Sequence, residues 1–500
     1  MHSFLFRVAT IALGILCQVR VLAAEPKPNF ILINIDDLGY ADIGPFGGKH
    51  PTPHLDRMAR EGRKLTSHYA APLCTPSRAA LMTGCYPKRV LPIRHVLFPG
   101  GAVGLSPDEK TIAEVLHDAG YATACVGKWH LGDQPEFLPT RQGFDYYYGL
   151  PYSNDMGPAA DGVKSNLGRT PQPETKKTSP PPPPAPPRAV DGDETGIKNA
   201  DQPPLPLLEN ETVIARVRQV EQAELTRRYT EKAVAFVRQQ AARPFFLYLA
   251  HTAVHFPLYP GKSFAGQSGH GLIADWIAEV DWSVGQVLNL VRELKLDGKT
   301  LVIFTSDNGG VIGNGSSNGA LRGQKAQVWE GGMRVPTIAW WPGQIPANTS
   351  TDAITSMMDV LPTFAGLAGA HVPLNRKIDG IDQWPVLAGT AGAKPPRDHF
   401  YFFYGPRLLG VRSGPWKFRV DRKELYHLGD DIGETTDVAA GHPEVVQRLQ
   451  MLAQAMNADL GIEEIGPGCR PIGRVPNPQP LIARDGTVRS GFAGAQKRFP

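Results

Sequence analysis

The sequence predicts an α/β fold: one large sheet lying between helices, followed by a smaller C-terminal antiparallel sheet. Three features lead there. The runs "NFILINIDDLG", "YATACVGKWHLG", "PFFLYLAHTAVHFP" and "KTLVIFTSDNGG" are continuously apolar, without the alternation of a half-exposed strand. Helical patterns separate them, so their sheet is covered on both faces. At 500 residues the chain exceeds one typical core, and beyond about residue 390 its texture changes to short aromatic and branched runs between turns.

Residues 1–24 read as an export signal. Arg7 precedes the apolar run "VATIALGILCQV", and "VLAA" offers small residues for cleavage. The run is too short to span a bilayer, and no later segment is apolar enough to do so. Cys17 lacks a lipobox, so lipidation is excluded. The expected location is exported, periplasmic or secreted. Cys74, Cys85, Cys125 and Cys469 remain, too few for a disulfide scaffold. One or two bridges are compatible with the sequence, which does not pair them. The composition, 42% apolar and 20% charged, is that of a soluble enzyme. The net charge of +4 falls close to balance without Arg7 and Arg20, so no nucleic-acid partner is expected.

The main domain is expected over residues 25–390. Helical spacing of Leu225, Tyr229, Phe236 and Val237 predicts a helix within 219–240, and Ile277, Val280, Val284, Val287, Val291 and Leu294 predict one over 275–296. Residues 157–206 differ. They contain "SPPPPPAPP", which cannot bury a core and favours extended polyproline, so a mobile surface insertion is expected there. Residues 391–500 make the second unit. "HFYFFYG", "LLGVRSGPWKFRV" and "ELYHLGDD" predict a small antiparallel sheet, 442–460 an amphipathic helix over it, and the last 40 residues an irregular tail.

The four buried strands stop in chemically able residues: Asp36 and Asp37, Lys128 and His130, His251 and His255, and Asp307 and Asn308. In open α/β sheets, ligands bind beyond the carboxyl ends of the strands, so one polar site from distant segments is expected. Asp36, Asp37, Asp307 and Asn308 offer only oxygen, which suits a hard cation, calcium or magnesium, and not zinc. Both members of each pair can ligate only past the strand end, because adjacent strand residues point opposite ways. Lys128 beside such a cation is a clamp for an oxyanion. His130, two residues on, faces the same side if the chain is extended there. His255 can donate a proton at neutral pH, and His251 is read as structural. Lys325 sits in the glycine-rich "LRGQKAQVWEGGMRVP".

"CTPSRAALMTG", Cys74 to Gly84, has the grammar of a helix opening. Pro76 suits a first turn and Gly84 a C-terminal stop. Cys74 is thus at a helix N-terminus, where a thiol is expected to be acidified and an anion is welcome. A thiolate is nevertheless a poor companion for an oxygen-bound cation.

The stretch resembles the signature of the type I sulfatases, in which the cysteine of C-x-P-S-R is oxidised after synthesis to formylglycine. The resemblance runs from about residue 28 to 390 through "NFILINIDDLGY", "GKWHLG", "LPYSNDMGP", "HTAVHFP", "EVDWSVGQVL", "LVIFTSDNGG", "LRGQKAQVWEGGMRVP" and "DGIDQWPVLAG". "PYSNDMGP" is similar to the arylsulfatase A-like branch, with Asn154 where that branch's human member has histidine. The resemblance implies an alkaline-phosphatase-like fold with a smaller C-terminal sheet domain. It implies calcium on Asp36, Asp37, Asp307, Asn308 and modified Cys74, with Arg78 holding the formylglycine. Lys128 and Lys325 would bind sulfate oxygens, His130 would contact the formylglycine hydroxyl, His255 would protonate the leaving oxygen, and Ser153 would hydrogen-bond near the sulfate. One hydroxyl of the hydrated aldehyde would attack sulfur, and the second would then re-form the aldehyde. A maturation enzyme is an implied partner, and a sulfate ester, on a sulfated carbohydrate, the implied substrate. Two other readings stand beside it: a phosphate or phosphonate ester hydrolase of the same fold, and a non-catalytic sulfated-glycan binder if Cys74 stays a thiol.

Overall fold

The computed structural model describes residues 27–168, 194–392, 394–494 and 498. The export-signal stretch 1–24 and the proline run 179–187 lie outside the described residues.

Ten strands form the path of the main sheet: β1 (Asn29–Ile35), β2 (Arg63–Tyr69), β3 (Ala122–Gly127), β4 (Tyr146–Gly149), β5 (Pro206–Glu209), β6 (Thr212–Arg216), β7 (Phe245–Ala250), β8 (Thr300–Ser306), β9 (Arg334–Trp340) and β10 (Thr349–Thr351). Their order is β10-β2-β9-β8-β1-β7-β3-β4-β5-β6, and the short Thr355–Ser356 adds an eleventh strand beside β2. The centre, β8-β1-β7-β3, is parallel, and these are the four apolar runs of the sequence. All four are fully buried, so their carboxyl ends open side by side onto one place.

The helices are α1 (Pro53–Glu61), α2 (Cys74–Thr83), α3 (Ile112–Asp118), α4 (Leu225–Gln239), α5 (Leu272–Glu293), α6 (Val360–Leu367) and α7 (Pro443–Leu460). Strand alternation divides β1 between two cores. Phe30 and Leu32 pack with Leu81 of α2, Leu116 of α3 and Phe364 of α6, while Ile31, Ile33 and Ile35 pack with Met58 of α1, Tyr229 of α4 and Val280 of α5. The sheet is thus covered on both faces, as continuous apolar strands require. Phe30 stacks on Phe364 with centroids 4.2 Å apart. In α3, the Thr111 hydroxyl accepts from the Glu114 amide and the Glu114 carboxylate accepts from the Thr111 amide, closing a capping box.

The expected helix 219–240 is in fact two. A turn at Gln219–Gln222 precedes α4, and Gln222 leaves the helix line to donate to the Asn154 carbonyl. α5 starts at Leu272, earlier than the aliphatic pattern suggests, because Asp275 accepts from the amides of Gly266 and Ser268 and anchors its first turn.

The C-terminal sheet has four antiparallel strands in sequence order, β11 (His399–Tyr404), β12 (Arg407–Ser413), β13 (Trp416–Arg419) and β14 (Glu424–His427). Leu449, Ala453, Met456 and Leu460 of α7 pack in one cluster with Val411, Phe418 and Leu425. The tail is irregular but does not hang free. Leu481, Ile482, Val488 and Phe492 are buried in the main core. The four cysteines Cys74, Cys85, Cys125 and Cys469 are free thiols.

Lys417 of β13 ties the two sheets together. Its ammonium lies 3.0 Å from Glu330 and 2.8 Å from Glu434, and all three side chains are completely buried. Removing one partner of a buried set leaves uncompensated charge, which typically costs about 3–5 kcal/mol. Lys417→Ala is therefore expected to lower the unfolding free energy by about that much, read from denaturant titration.

Candidate active site

The site starts where β1 ends. Asp36 and Asp37 lie just past Ile35, and Asp37 takes φ 61°, which turns the chain so that both carboxylates can serve one place. Asp307 and Asn308 lie just past β8, and the Asp307 amide donates to the Ile35 carbonyl. The two pairs meet: Asn308 Nδ2 donates to Asp37 Oδ1 at 2.8 Å, and the Asp37 amide to Asp307 Oδ1 at 3.3 Å.

Arg78 projects from α2 and clamps both strand ends. Its Nε and Nη2 donate to Asp307 Oδ2 at 3.0 and 2.8 Å, Nη2 to Asp36 Oδ2 at 3.1 Å, and Nη1 to the Lys128 carbonyl at 2.5 Å. Cys74 opens the same helix. Its sulfur lies with carboxylate oxygens of Asp36 and Asp307 in a group within 4.8 Å of one another. Gly84 ends α2 at φ 67°, with its amide donating to the Ala80 carbonyl.

Past β3 the chain turns sharply at Gly127, φ 117°, where a Cβ would come within 1.8 Å of the Ala250 carbonyl oxygen. Lys128 then reaches Asp36 Oδ2 at 2.5 Å and Ser153 Oγ at 3.2 Å. His130 has φ 66°, so the chain is not extended there and the two-residue spacing does not set its direction. Its Nε2 meets the Leu97 carbonyl at 2.9 Å, while Nδ1 is buried without a partner among the described residues. Past β7, His255 Nε2 stands 3.7 Å from Asp37 Oδ2, and Nδ1 lies 2.5 Å from the Phe256 carbonyl and 3.5 Å from Ser153 Oγ. Lys325 completes the ring with its ammonium 2.6 Å from Asp37 Oδ1. Its side chain is 15% exposed and that of His255 11%, whereas Lys128 is closed from solvent.

All eleven expected site residues are thus gathered at the four strand ends and the loops beside them. His251 takes the structural role expected of it: Nε2 lies 3.1 Å from Ser283 Oγ of α5, and burial pushes its imidazolium down to about 3.

The electrostatics correct one expectation. The Cys74 thiol is not acidified. Burial pushes it up to about 11, and the charges of Lys128 and Lys325, themselves opposed by Asp36 and Asp307, do not overcome that cost. Burial also acts against the Asp36 carboxylate, but Lys128, His255, Arg78 and Lys325 outweigh it and hold Asp36 well below the usual range. Burial and then the neighbouring Asp36 charge push Asp307 up to about 6. Two buried carboxylates so placed repel, and a cation between them relieves the repulsion.

The donors fit a hard cation. Asp36 Oδ1 and Asn308 Oδ1 are buried acceptors without a hydrogen-bond partner among the described residues, and the neighbouring donors are oxygens. The thiol of Cys74 is the one soft atom in the group.

Sequence reasoning missed three supports. Tyr248 of β7 accepts from Arg78 Nη1 at 3.4 Å, hidden in an apolar strand. Asp155, next to Ser153, keeps its carboxylate below the usual range because the charges of His255, Lys164 and Lys128 outweigh its burial. Asn318 accepts from the amides of Tyr40 and Gly310 and donates to the carbonyls of Gly310 and Gly323, fixing the loop that carries Lys325. A polar residue among serines and glycines carries no signal for that task.

Comparison with known proteins gives one consistent answer. Residues 28–370 match the sulfatase family, and residues 323–459 match the family described as N-sulphoglucosamine sulphohydrolase, C-terminal. Bovine (Bos taurus) arylsulfatase A is 42% identical over 417 residues, covering 79% of this chain and 75% of its own length. Pig (Sus scrofa) N-acetylgalactosamine-6-sulfatase is 38% identical over 413 residues, covering 79% and 72%. Among solved structures, Ps i-CgsB in complex with k-i-k-neocarrahexaose superposes with TM-score 0.71 at 31% identity, over 86% of this chain and 92% of that one.

Proposed function

The chain belongs to the sulfatase family and is a sulfate-ester hydrolase, and we propose that it removes sulfate from a carbohydrate through a formylglycine made from Cys74. The carrying observation is that Lys128 and Lys325 converge from different elements on Asp36 and Asp37 beside Cys74. The carbohydrate reading is supported by an N-acetylgalactosamine-6-sulfatase and a neocarrahexaose-bound structure among the similar proteins.

Formylglycine supplies, as its hydrate, a hard oxygen nucleophile in place of the thiol that burial keeps protonated. Asp36, Asp37, Asp307, Asn308 and the modified side chain would hold a calcium or magnesium ion, which would supply positive charge to polarise a sulfate oxygen. The chain's own groups do the rest. Arg78 locks Asp36 and Asp307 together and holds the base of α2 against them. Lys128 and Lys325 present ammonium groups to sulfate oxygens and balance charge developing there. Ser153 bridges Lys128 and His255 and steadies both. His130 donates from Nε2 to the Leu97 carbonyl, which leaves Nδ1 to accept from a hydroxyl at position 74. His255 donates from Nδ1 to the Phe256 carbonyl, which leaves Nε2 as the nitrogen that, in the imidazolium form, gives its proton to the leaving oxygen.

The protein is further proposed to be exported under residues 1–24 and oxidised at Cys74 by a separate maturation enzyme. Among the described residues no helix is long and apolar enough to cross a membrane.

Reaction class is tested by comparing nitrophenyl sulfate with nitrophenyl phosphate. Sulfate-ester hydrolysis should dominate, and dominant phosphate hydrolysis would refute the reading. The metal is tested by chelation. Activity should be lost and return with calcium or magnesium, whose oxygen preference matches the donors. Restoration by zinc alone would contradict the assignment.

A further inference from the structure

The segment 94–99 runs along the rim of the site and is fastened to it twice. The Leu97 amide donates to Thr75 Oγ1, next to Cys74, at 3.3 Å, and the Leu97 carbonyl receives His130 at 2.9 Å. The residues on either side of Leu97 are thereby fixed beside the nucleophile. His95 is exposed, and Phe98 is partly buried against the core. Their rings lie 6.5 Å apart and within 9° of parallel, stacked so that Phe98 backs the exposed His95 surface. The chain returning at residues 194–198 closes this surface. The Phe98 amide donates to the Thr195 carbonyl at 2.7 Å, and the Ile197 amide to the Pro99 carbonyl at 2.8 Å. Lys198 is carried over the Phe98 ring, with Nζ 5.0 Å from its centroid. Among the described residues no carboxylate pairs with Lys198 or with His95.

The rim faces the site. Partial enclosure of its ring, and after it the charges of Lys325 and Lys198, disfavour the His95 imidazolium.

We propose that His95, Phe98 and Lys198 form a subsite for the sugar ring next to the sulfated one, and that this ring carries its own carboxylate or sulfate. This rests on the carbohydrate reading above. A pyranose has an apolar C–H face that lies flat on aromatic rings, and burying it there is favourable. An ammonium over a ring is attracted by the ring's negative face, but that gain is modest beside a charged hydrogen bond. Lys198 is therefore held in place by Phe98 and still lacks an anion. A single aryl sulfate offers neither the second ring nor the second charge, whereas a polyanionic glycan offers both.

Binding is measured by calorimetry in the Cys74→Ala background, with tetrasaccharides from chondroitin sulfate, heparin and carrageenan as probes. For the tightest of the three, Lys198→Ala should raise Kd about tenfold, the scale of one charge-assisted contact. Phe98→Ala should raise Kd several-fold through lost ring contact, and Lys198→Arg should retain binding. The salt dependence of Kd should be shallower for Lys198→Ala than for the parent. Unchanged Kd in both alanine variants, or no binding of any of the three probes, would overturn the subsite. Failure of the sulfatase reading itself shows separately, as absence of nitrophenyl sulfate hydrolysis by the wild type.

Discussion

Cys74→Ala is expected to abolish turnover, by on the order of 10⁴-fold or more, since removing a nucleophile costs nearly all of an enzyme's acceleration. The fold should survive. Cys74 is the first residue of α2 and is capped by no side chain, and alanine propagates a helix at least as well as cysteine. The clamp of Arg78 on Asp36 and Asp307 does not involve the sulfur. The check is kcat for the variant, on protein whose thermal transition matches the parent. Wild-type protein that still carries the thiol should be equally inactive, because burial holds that thiol protonated at neutral pH. Appreciable turnover by folded Cys74→Ala would remove the nucleophile from the account.

His255→Ala should lose activity in proportion to the leaving group's need for a proton. A sugar alkoxide is a poor leaving group, and general acid catalysis is worth about 10²–10⁴-fold where it is needed. A nitrophenolate departs without help. The kcat/KM for a sulfated sugar should therefore fall by about that factor, and for nitrophenyl sulfate far less. Lys128→Ala should weaken both substrates alike, because it meets the sulfate they share. Equal losses for His255→Ala, measured on folded protein, would reduce His255 to a residue packed between Asp37 and Ser153.

The site was unusually legible because buried parallel strands write themselves as uninterrupted apolar runs. Where such a run stops in Asp36–Asp37 or Asp307–Asn308, the polar residue has no strand to satisfy it and must serve something at the sheet's edge. The resemblance on "CTPSRAALMTG" then supplied chemistry that spacing alone could not. What stayed hidden was hidden for identifiable reasons. Strand adjacency is a long-range property, so the neighbourhood of β8, β1, β7 and β3 emerged only in the structure. Tyr248 looks like any aromatic strand residue, although its hydroxyl touches Arg78. The irregular tail buries Leu481 and Phe492 without any periodic pattern to announce it. The Cys74 thiol sits at a helix start, where the sequence suggests acidification, but it is closed from solvent, and that burial raises it despite the charges of Lys128 and Lys325.

The central claim is that position 74 works as an oxidised aldehyde at the meeting point of four strand ends. Mass analysis of the peptide spanning Cys74, taken from preparations of graded specific activity, tests it most directly. Activity should rise in proportion to the fraction carrying the aldehyde. A fully active preparation in which that peptide carries only a free thiol would contradict the account.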